Sequence, residues 1–496
     1  MSIVNRFYQT VNNGFTLKYS ILLVFSIGCI IRMIPELVAY PHPIGFDTIN
    51  YYIPAVAYLD KLWPIISGQF PVYVYLLHLV NLSTGLSPYH TVLALAVTMF
   101  GIFTVSVFLV GKSILRLTAI ESIFLSVFVI IQIAVLRTSW DLHRDMLALS
   151  SLLLTSVLLA KGHRATTSLP IIGIAMVLSA VTVSSDGMIG SLFLLSLIIY
   201  SFITKKKIVI LCTIVALALF PAAILSEFNI FHIFLDINWT KHDATISNDS
   251  KYYIESNKSY DPTNLLIFFA VMSGLLIPTG VIGFYKSFLN DKHKSLLLIL
   301  PLLICFILSF SWILFPQNTT LVAHRWMVVE AIFLSIFAGY GIICIIKGMK
   351  STSSKKIMGS SSILGVFLII GIGYATGPVN NRFILFDIMN PDIRNLAPAT
   401  MQPDKGFNDG LFSVISWIND NTEQNSTITG QKGWRGFMQL KLEDRREWQD
   451  FGLFQDTSKM FAYGLDLYSK NHNNSYVLTT NKYFLNDTSS SKLQFR

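Results

Sequence analysis

Four short stretches of this sequence place ionisable side chains where an apolar run meets a polar loop. Residues 41–54 read PHPIGFDTINYYIP and hold Asp47; residues 137–149 read RTSWDLHRDMLAL and hold Arg137, Asp141, Arg144 and Asp145. Residues 180–190, AVTVSSDGMIG, carry Ser185 and Asp186, and residues 315–333, FPQNTTLVAHRWMVVEAIF, carry His324, Arg325 and Glu330. Carboxylates act as bases or bind metal ions, and arginine offers a rigid bidentate fork that fits phosphate. Each stretch also has a plainer use. Asp47 suits a helix N-cap. Thr138 and Asp141 fit a capping box, with Asp141 and Asp145 four apart on one helix face. Ser184, Ser185 and Asp186 make an ordinary tight turn, and Arg325 can snorkel toward headgroups or pair with Glu330. Arg32 and Glu36, also four apart, read as a local ion pair. Against these stands the density of charge: five titratable groups lie within residues 137–145, more than capping requires.

As a set, Asp47, Asp141, Asp145, Asp186, His324 and Arg325 suit a phosphate-bearing lipid whose tail stays in the bilayer while its head enters a cleft. Where that head is a sugar on a lipid phosphate, the leaving group is already good and needs no general acid. One carboxylate to deprotonate an acceptor hydroxyl, with cations to hold the departing phosphate, suffices. The paired acid and nucleophile of glycosidases is unnecessary. Asp47 is expected as base or metal ligand, with Asp141 and Asp145 as a second acidic motif. His324, Arg325 and Arg144 are expected at the donor phosphate, and Ser185 and Asp186 in the cleft lining. A divalent cation (Mg or Mn) held by Asp47 and Asp141 is a further expectation.

The elements that must position these residues follow from composition. The 496 residues are 53% hydrophobic and only 13% charged, about half the charged fraction of a soluble domain. Mean hydropathy is +0.57. Recurrent long apolar runs make this a polytopic membrane protein. The first run, about 21–40, is long enough to span, and no small-residue cleavage pattern follows, so it reads as an anchor and not a cleaved signal. Spans are expected near residues 30, 100, 127, 152, 177, 195, 217, 274, 305, 335 and 368, eleven in all, with no internal repeat and no inverted pair of broken helices. The four cysteines, Cys29, Cys212, Cys305 and Cys344, fall inside apolar runs and read as small hydrophobes, without disulfide or zinc.

Sidedness comes from charge. Alternate connections are basic: Lys112 and Arg116; Lys161 and Arg164; Lys205, Lys206 and Lys207; Lys286, Lys292 and Lys294; Lys347, Lys350, Lys355 and Lys356. The positive-inside rule puts this set, and the N-terminus, in the cytoplasm. The net charge of +9 is thereby accounted for without nucleic acid. Asn-x-Ser/Thr sequons at Asn81, Asn238, Asn248, Asn257, Asn318, Asn425, Asn473 and Asn486 all fall on the opposite side. Two outer loops are long, 41–90 and 227–262; the first holds candidate amphipathic helices at 47–62 and 71–80. The apolar run 169–183 spans only about 22 Å of helix against a hydrocarbon core of about 30 Å. The following Ser185–Asp186 turn should therefore sit below the outer surface, which is tolerated where backbone lines protein or a wet cavity. Residues 377–496 read as a small extracytoplasmic α/β domain, with helices at 411–421 and 458–470 and strands at 426–429 and 475–480. Residues 1–376 form the membrane domain.

GFDTINYY after the first span, SWDLHRDMLAL at the start of the fourth, the turn before the sixth and HRW at the start of the tenth together resemble the GT-C superfamily of membrane glycosyltransferases. The resemblance covers about residues 18–376 and is nearest the branch of protein O-mannosyltransferases and lipid A aminoarabinose transferase. It implies an all-α polytopic fold with a GT-C-like core, a polyprenyl- or dolichyl-phosphate sugar donor and inverting transfer at the extracytoplasmic face. By motif position the acid of the first outer loop is Asp47, and the second acidic motif is Asp141, with Asp145 beside it. The acceptor would be a lipid, a glycan or a protein. Two departures matter. Protein O-mannosyltransferases carry adjacent Asp and Glu in the first loop, whereas Thr48 follows Asp47 here. Oligosaccharyltransferases carry WWDYG, which GWRGF at 433–437 does not match.

The rival reading is a lipid or sugar transporter or flippase. It would call for repeat symmetry and charges near mid-bilayer, whereas the charges here cluster at the outer ends of the spans. A non-catalytic anchor for the outer domain would not need acids on several separate spans.

Overall fold

The computed structural model describes residues 17–41, 43–45, 47–57, 72–161, 168–236, 262–314, 323–348, 353–376, 405–421, 427–431, 447–451, 475–480 and 493–495. Six of its helices are long and apolar enough to cross a membrane: α1 (Leu17–Ala39), α4 (Pro88–Ser113), α7 (His143–Lys161), α9 (Gly187–Thr204), the run Lys292–Leu314, and α15 (Ala323–Gly348). Between α1 and α4 lie the short helices α2 (Ile53–Ala57) and α3 (Val72–Thr84). The run Lys292–Leu314 comprises α13 (Lys292–Ser309) and α14 (Ser311–Leu314). Two further spans are bent pairs: α5 (Ala119–Ile130) with α6 (Ile133–Asp141), kinked by 65°, and the segment Leu265–Gly274 with α12 (Ile277–Asn290), kinked by 60°. That segment joins α11 (Pro262–Phe269) to a π-helical turn, Ala270–Gly274. The protein is thus a multi-pass membrane protein with six to eight spans among the described residues. Breaks inside spans, which the sequence did not announce, are part of the design.

The remaining three expected centres fall on shorter apolar stretches. They lie in α8 (Leu169–Ser185), in α10 (Lys207–Asp236), of which Lys207–Pro221 is the apolar part, and in α16 (Ser353–Thr376), of which Ser362–Tyr374 is. Helix α10 continues to Asp236, so the loop expected from 227 starts about three turns later.

Helix α15 is the axis of the bundle. From Trp326 to Ile343 every residue is buried, as befits a helix that is apolar all round. It packs against α12, α13 and α5. Glycine sets the closest of these crossings: a Cβ on Gly283 would overlap the Phe337 carbonyl oxygen, and one on Gly341 would overlap that of Thr279. Small residues let backbones meet where lipid gives no hydrophobic drive between helices. At the far end of α15 the connections are clipped together. Lys347 pairs with Glu121 at 2.9 Å, and Arg116 with Asp291 at 2.6 Å. Glu121 also closes a capping box with Thr118 at the start of α5. Exposed pairs of this kind hold little energy each, but they mark one end of the bundle as the meeting place of the basic connections.

The stretch 137–149 departs from expectation. Thr138 is not a cap: it lies inside α6 and its hydroxyl donates to the Ala134 carbonyl at 2.8 Å. Leu142, at φ −95° and ψ 61°, ends that helix. Asp141 therefore closes α6 while Asp145 lies in the first turn of α7, and the two do not share a helix face. The kink after Ile130 makes 133–141 a separate helix. In the connection after α1 the expected helix 47–62 is a π-helical turn, Thr48–Tyr52, running into α2; residues 58–62 lie outside those described. The expected helix 71–80 is α3.

Towards the C-terminus, α17 (Lys405–Asn421) precedes four strands: β1 (Thr427–Gln431), β2 (Glu447–Phe451), β3 (Ser475–Thr480) and β4 (Leu493–Phe495). They form one sheet in the order β2-β1-β3-β4. Strand β1 is parallel to β2 and β3, and β4 is antiparallel to β3. The helix expected at 458–470 lies outside the described residues.

Candidate active site

The site begins at the buried C-terminus of α6. The last carbonyls of a helix lack intrahelical partners. Here each of three is supplied: Thr138 O accepts from the Leu142 amide at 2.9 Å, Ser139 O from Arg32 Nε at 3.0 Å, and Trp140 O from the Thr48 hydroxyl at 3.2 Å. A cation suits that end of the helix dipole. Arg32 also pairs with Glu36 at 2.7 Å, with 1% and 5% of the two side chains exposed. The expected local ion pair therefore does more, because it ties α1 to α6. Gly45 brings the connection after α1 onto the same helix end. Its φ is +92°, and a Cβ there would overlap the Trp140 carbonyl oxygen.

Asp47 follows and is buried. It stands at the head of the π-helical turn but makes no side-chain cap. Its carboxylate is among the charges acting on the Arg325 guanidinium, together with those of Asp145 and Asp186 and the second cation Arg144. The Asp145 and Asp186 carboxyls are within hydrogen-bonding reach of each other, and Asp145 also feels Arg144. Asp186 does double duty. Its extended backbone separates α8 from α9, and its Oδ1 accepts from the Ile189 amide at 2.8 Å, so it is an N-cap as well as a member of the cluster. The structure thus brings together Asp47, Asp145, Asp186, Arg144 and Arg325 from the connection after α1, α7, the α8–α9 junction and the first turn of α15. These lie at the end of α15 opposite Lys347.

Other expected residues sit differently. The charged neighbours of His324 are Arg325 and, from α6, Arg137. Ser185 is buried, and its hydroxyl donates to Val181 O at 2.5 Å, so its proton is spent within its own helix. The backbone of Asp141 closes α6; its side chain lies outside the described residues. Glu330 does not pair with Arg325 in the way the plainer reading had it: it accepts from the Ser273 hydroxyl at 2.6 Å and anchors the π-helical turn of the bent span.

An aromatic cluster next to Asp47 was missed. His143 Nδ1 meets the Tyr73 hydroxyl at 3.0 Å, and its Nε2 lies 3.5 Å from Thr48 Oγ1. The Tyr52 ring stacks on His143 at 5.0 Å and 17°, and Tyr73 meets Tyr52 edge-on at 4.9 Å and 63°. Burial first, and then the charge of Asp47, hold the Tyr52 hydroxyl well above the usual phenol range. It stays a neutral donor. The signal available in the sequence was the NYY that follows Asp47 and the imidazole inside DLHRD.

The donor set bears on a metal. Among the described residues no three His, Cys, Asp or Glu side chains come together as a cation site. The counter-charge to the three carboxylates is the guanidinium of Arg325. The side chain of Asp141, the second expected metal ligand, lies outside the described residues.

No protein-family model matches this chain, and no curated protein matches it in sequence. Solved structures do. The crystal structure of ArnT from Cupriavidus metallidurans bound to undecaprenyl phosphate aligns with a TM-score of 0.50 at 10% identity, over 95% of this chain and 94% of that one. The oligosaccharyltransferase of Archaeoglobus fulgidus, in complex with Zn and sulfate, aligns with a TM-score of 0.52 at 11% identity, over 93% of this chain and 69% of that one. At such identities the likeness is one of fold.

Proposed function

We propose that the protein is a membrane glycosyltransferase that moves a sugar from a polyprenyl- or dolichyl-phosphate donor to an acceptor hydroxyl, with inversion. The observation that carries this reading is the convergence of three carboxylates from separate elements on Arg325, at one end of a bundle that shares its fold with ArnT and the oligosaccharyltransferase. The undecaprenyl phosphate bound to ArnT supports a polyprenyl-phosphate lipid as the carrier.

In the proposed reaction the acceptor oxygen attacks the anomeric carbon from the face opposite the phosphate. Asp47 takes the acceptor's proton as the new C–O bond forms. The bond from the anomeric carbon to the phosphate oxygen breaks, and its electron pair leaves on the lipid phosphate. Arg325, with Arg144 and His324 beside it, holds the charge that develops there. Asp145 and Asp186 keep Arg325 in place. No step is routed through a metal.

The topology belongs to the same proposal. Eleven spans, with the shorter stretches in α8, α10 and α16 crossing as well, put the N-terminus in the cytoplasm and the site outside. Residues 1–376 are then the transferase domain and 377–496 an extracytoplasmic α/β domain. The order β2-β1-β3-β4 supports that last assignment.

The test is to incubate purified protein with a panel of radiolabelled lipid-phosphate sugars and an acceptor-containing membrane extract. Label leaving the lipid, dependent on Asp47, is expected. A full panel that stays lipid-linked would defeat the reading.

A further inference from the structure

The Tyr52 hydroxyl is buried and has no hydrogen-bond partner among the described residues. Leaving such a group unmatched is costly, and native structures seldom do so without a reason. The ring cannot swing away to water. One face stacks on His143, whose two nitrogens face Tyr73 and Thr48, and Tyr73 closes the ring from the side. The backbone is fixed too. The i→i+5 spacing of the π-helical turn Thr48–Tyr52 brings residues five apart toward one side, and Asp47 immediately precedes it. The charges acting on the hydroxyl are those of Asp47, Arg144 and Asp145, so it lies on the side of the carboxylate cluster.

We propose that the Tyr52 hydroxyl binds a hydroxyl of the donor's sugar ring, giving the site an uncommitted neutral group that both donates and accepts. The proposal rests on the reading of the cluster as a lipid-phosphate-sugar site. Its argument is complementarity. The Asp47 carboxylate accepts only, the guanidiniums Arg144 and Arg325 donate only, and a proton between Asp145 and Asp186 is engaged within that pair. A sugar hydroxyl does both. The leading charge at Tyr52 is Asp47, which repels a phosphate oxygen and tolerates a neutral hydroxyl. Phosphate therefore belongs at Arg325, and the sugar ring lies between it and Tyr52.

The experiment compares wild type and Tyr52→Phe, full-length in detergent or nanodiscs. It measures Kd for dolichyl phosphate mannose, dolichyl phosphate glucose and bare dolichyl phosphate, and the Tm of each protein. The variant should bind the preferred glycosylated lipid about threefold to tenfold more weakly, the size of one net hydrogen bond. Its Kd for bare dolichyl phosphate should not change, and its Tm should not fall, because no hydrogen bond to the described residues is lost. Equal weakening for all three lipids would make Tyr52 a phosphate or structural residue and overturn the proposal. Unchanged binding of all three would overturn it as well, leaving the hydroxyl to water. So would a wild type that binds the glycosylated lipids no better than the bare one. A wild type that binds none of them defeats the proposed function itself, and this proposal with it. Failure at Tyr52 alone leaves that function standing.

Discussion

Arg32 on α1 and Ser139 on α6 are joined by a hydrogen bond of 3.0 Å across 107 residues of sequence. This buried bond fixes the end of the helix on which the connection after α1 and α7 both depend. Arg32→Gln removes the cation from Glu36 and shortens the reach to Ser139. Breaking a buried pair by taking one partner typically costs about 3–5 kcal/mol. A clear fall in Tm in detergent is expected, with part of it recovered in Arg32→Gln/Glu36→Gln, where no lone buried charge remains. A single variant as stable as wild type would show that the pair is not what holds α6.

Asp47→Asn keeps the size of the side chain and removes the base. Transfer should fall about 10²- to 10⁴-fold, the ordinary worth of a positioned proton acceptor. Tm should stay near wild type, and the donor should bind no more weakly, since a charge that repels its phosphate is gone. Retained turnover would remove Asp47 from the proposed reaction.

Arg325 faces three carboxylates, so its removal is felt twice, as lost phosphate contact and as unrelieved repulsion. Arg325→Lys separates the two because it keeps the charge and loses the fork. The donor KM should rise roughly 10-fold or more, on the scale of one charged hydrogen bond, with the acceptor KM little changed. Arg325→Ala should show the same selectivity with lower stability. Equal rises in both KM values would place the phosphate elsewhere.

Because a guanidinium supplies the counter-charge, transfer should persist in EDTA. Activity lost on chelation and restored by Mg or Mn would show an ion at Asp47 and Asp141 instead, and the reaction would have to be rewritten around it.

Gly45→Ala combines a positive φ with a Cβ driven against the Trp140 carbonyl oxygen. Strain of about 1–3 kcal/mol should lower Tm and displace Asp47, so transfer should fall further than stability does. Wild-type turnover in this variant would show that the loop has another way onto α6.

How far the sequence could be read depended on the kind of signal. Asp47, Asp145, Asp186 and Arg325 stood out because a charge at the edge of an apolar run is expensive enough to need a reason. The helix break at Asp186 followed from the length of the apolar run alone. The break at Leu142 did not, since leucine is a strong helix former and nothing local marks the stop. The π-helical turn at Thr48–Tyr52 has no sequence code to read. Tyr52, Tyr73 and His143 were missed because aromatic residues at an interface look like a membrane belt, and their meeting is purely tertiary. Glu330 looked like a partner for Arg325 only while the bent span carrying Ser273 was unknown.

Helix α15 runs unbroken for 26 residues, about 39 Å at ordinary rise, with Arg325 in its first turn. A guanidinium mounted on such a pillar has its altitude above the lipid mid-plane set by the pillar and not by any loop. Carriers whose isoprenoid tails differ in length should therefore be served alike, provided their heads can sink to the same level.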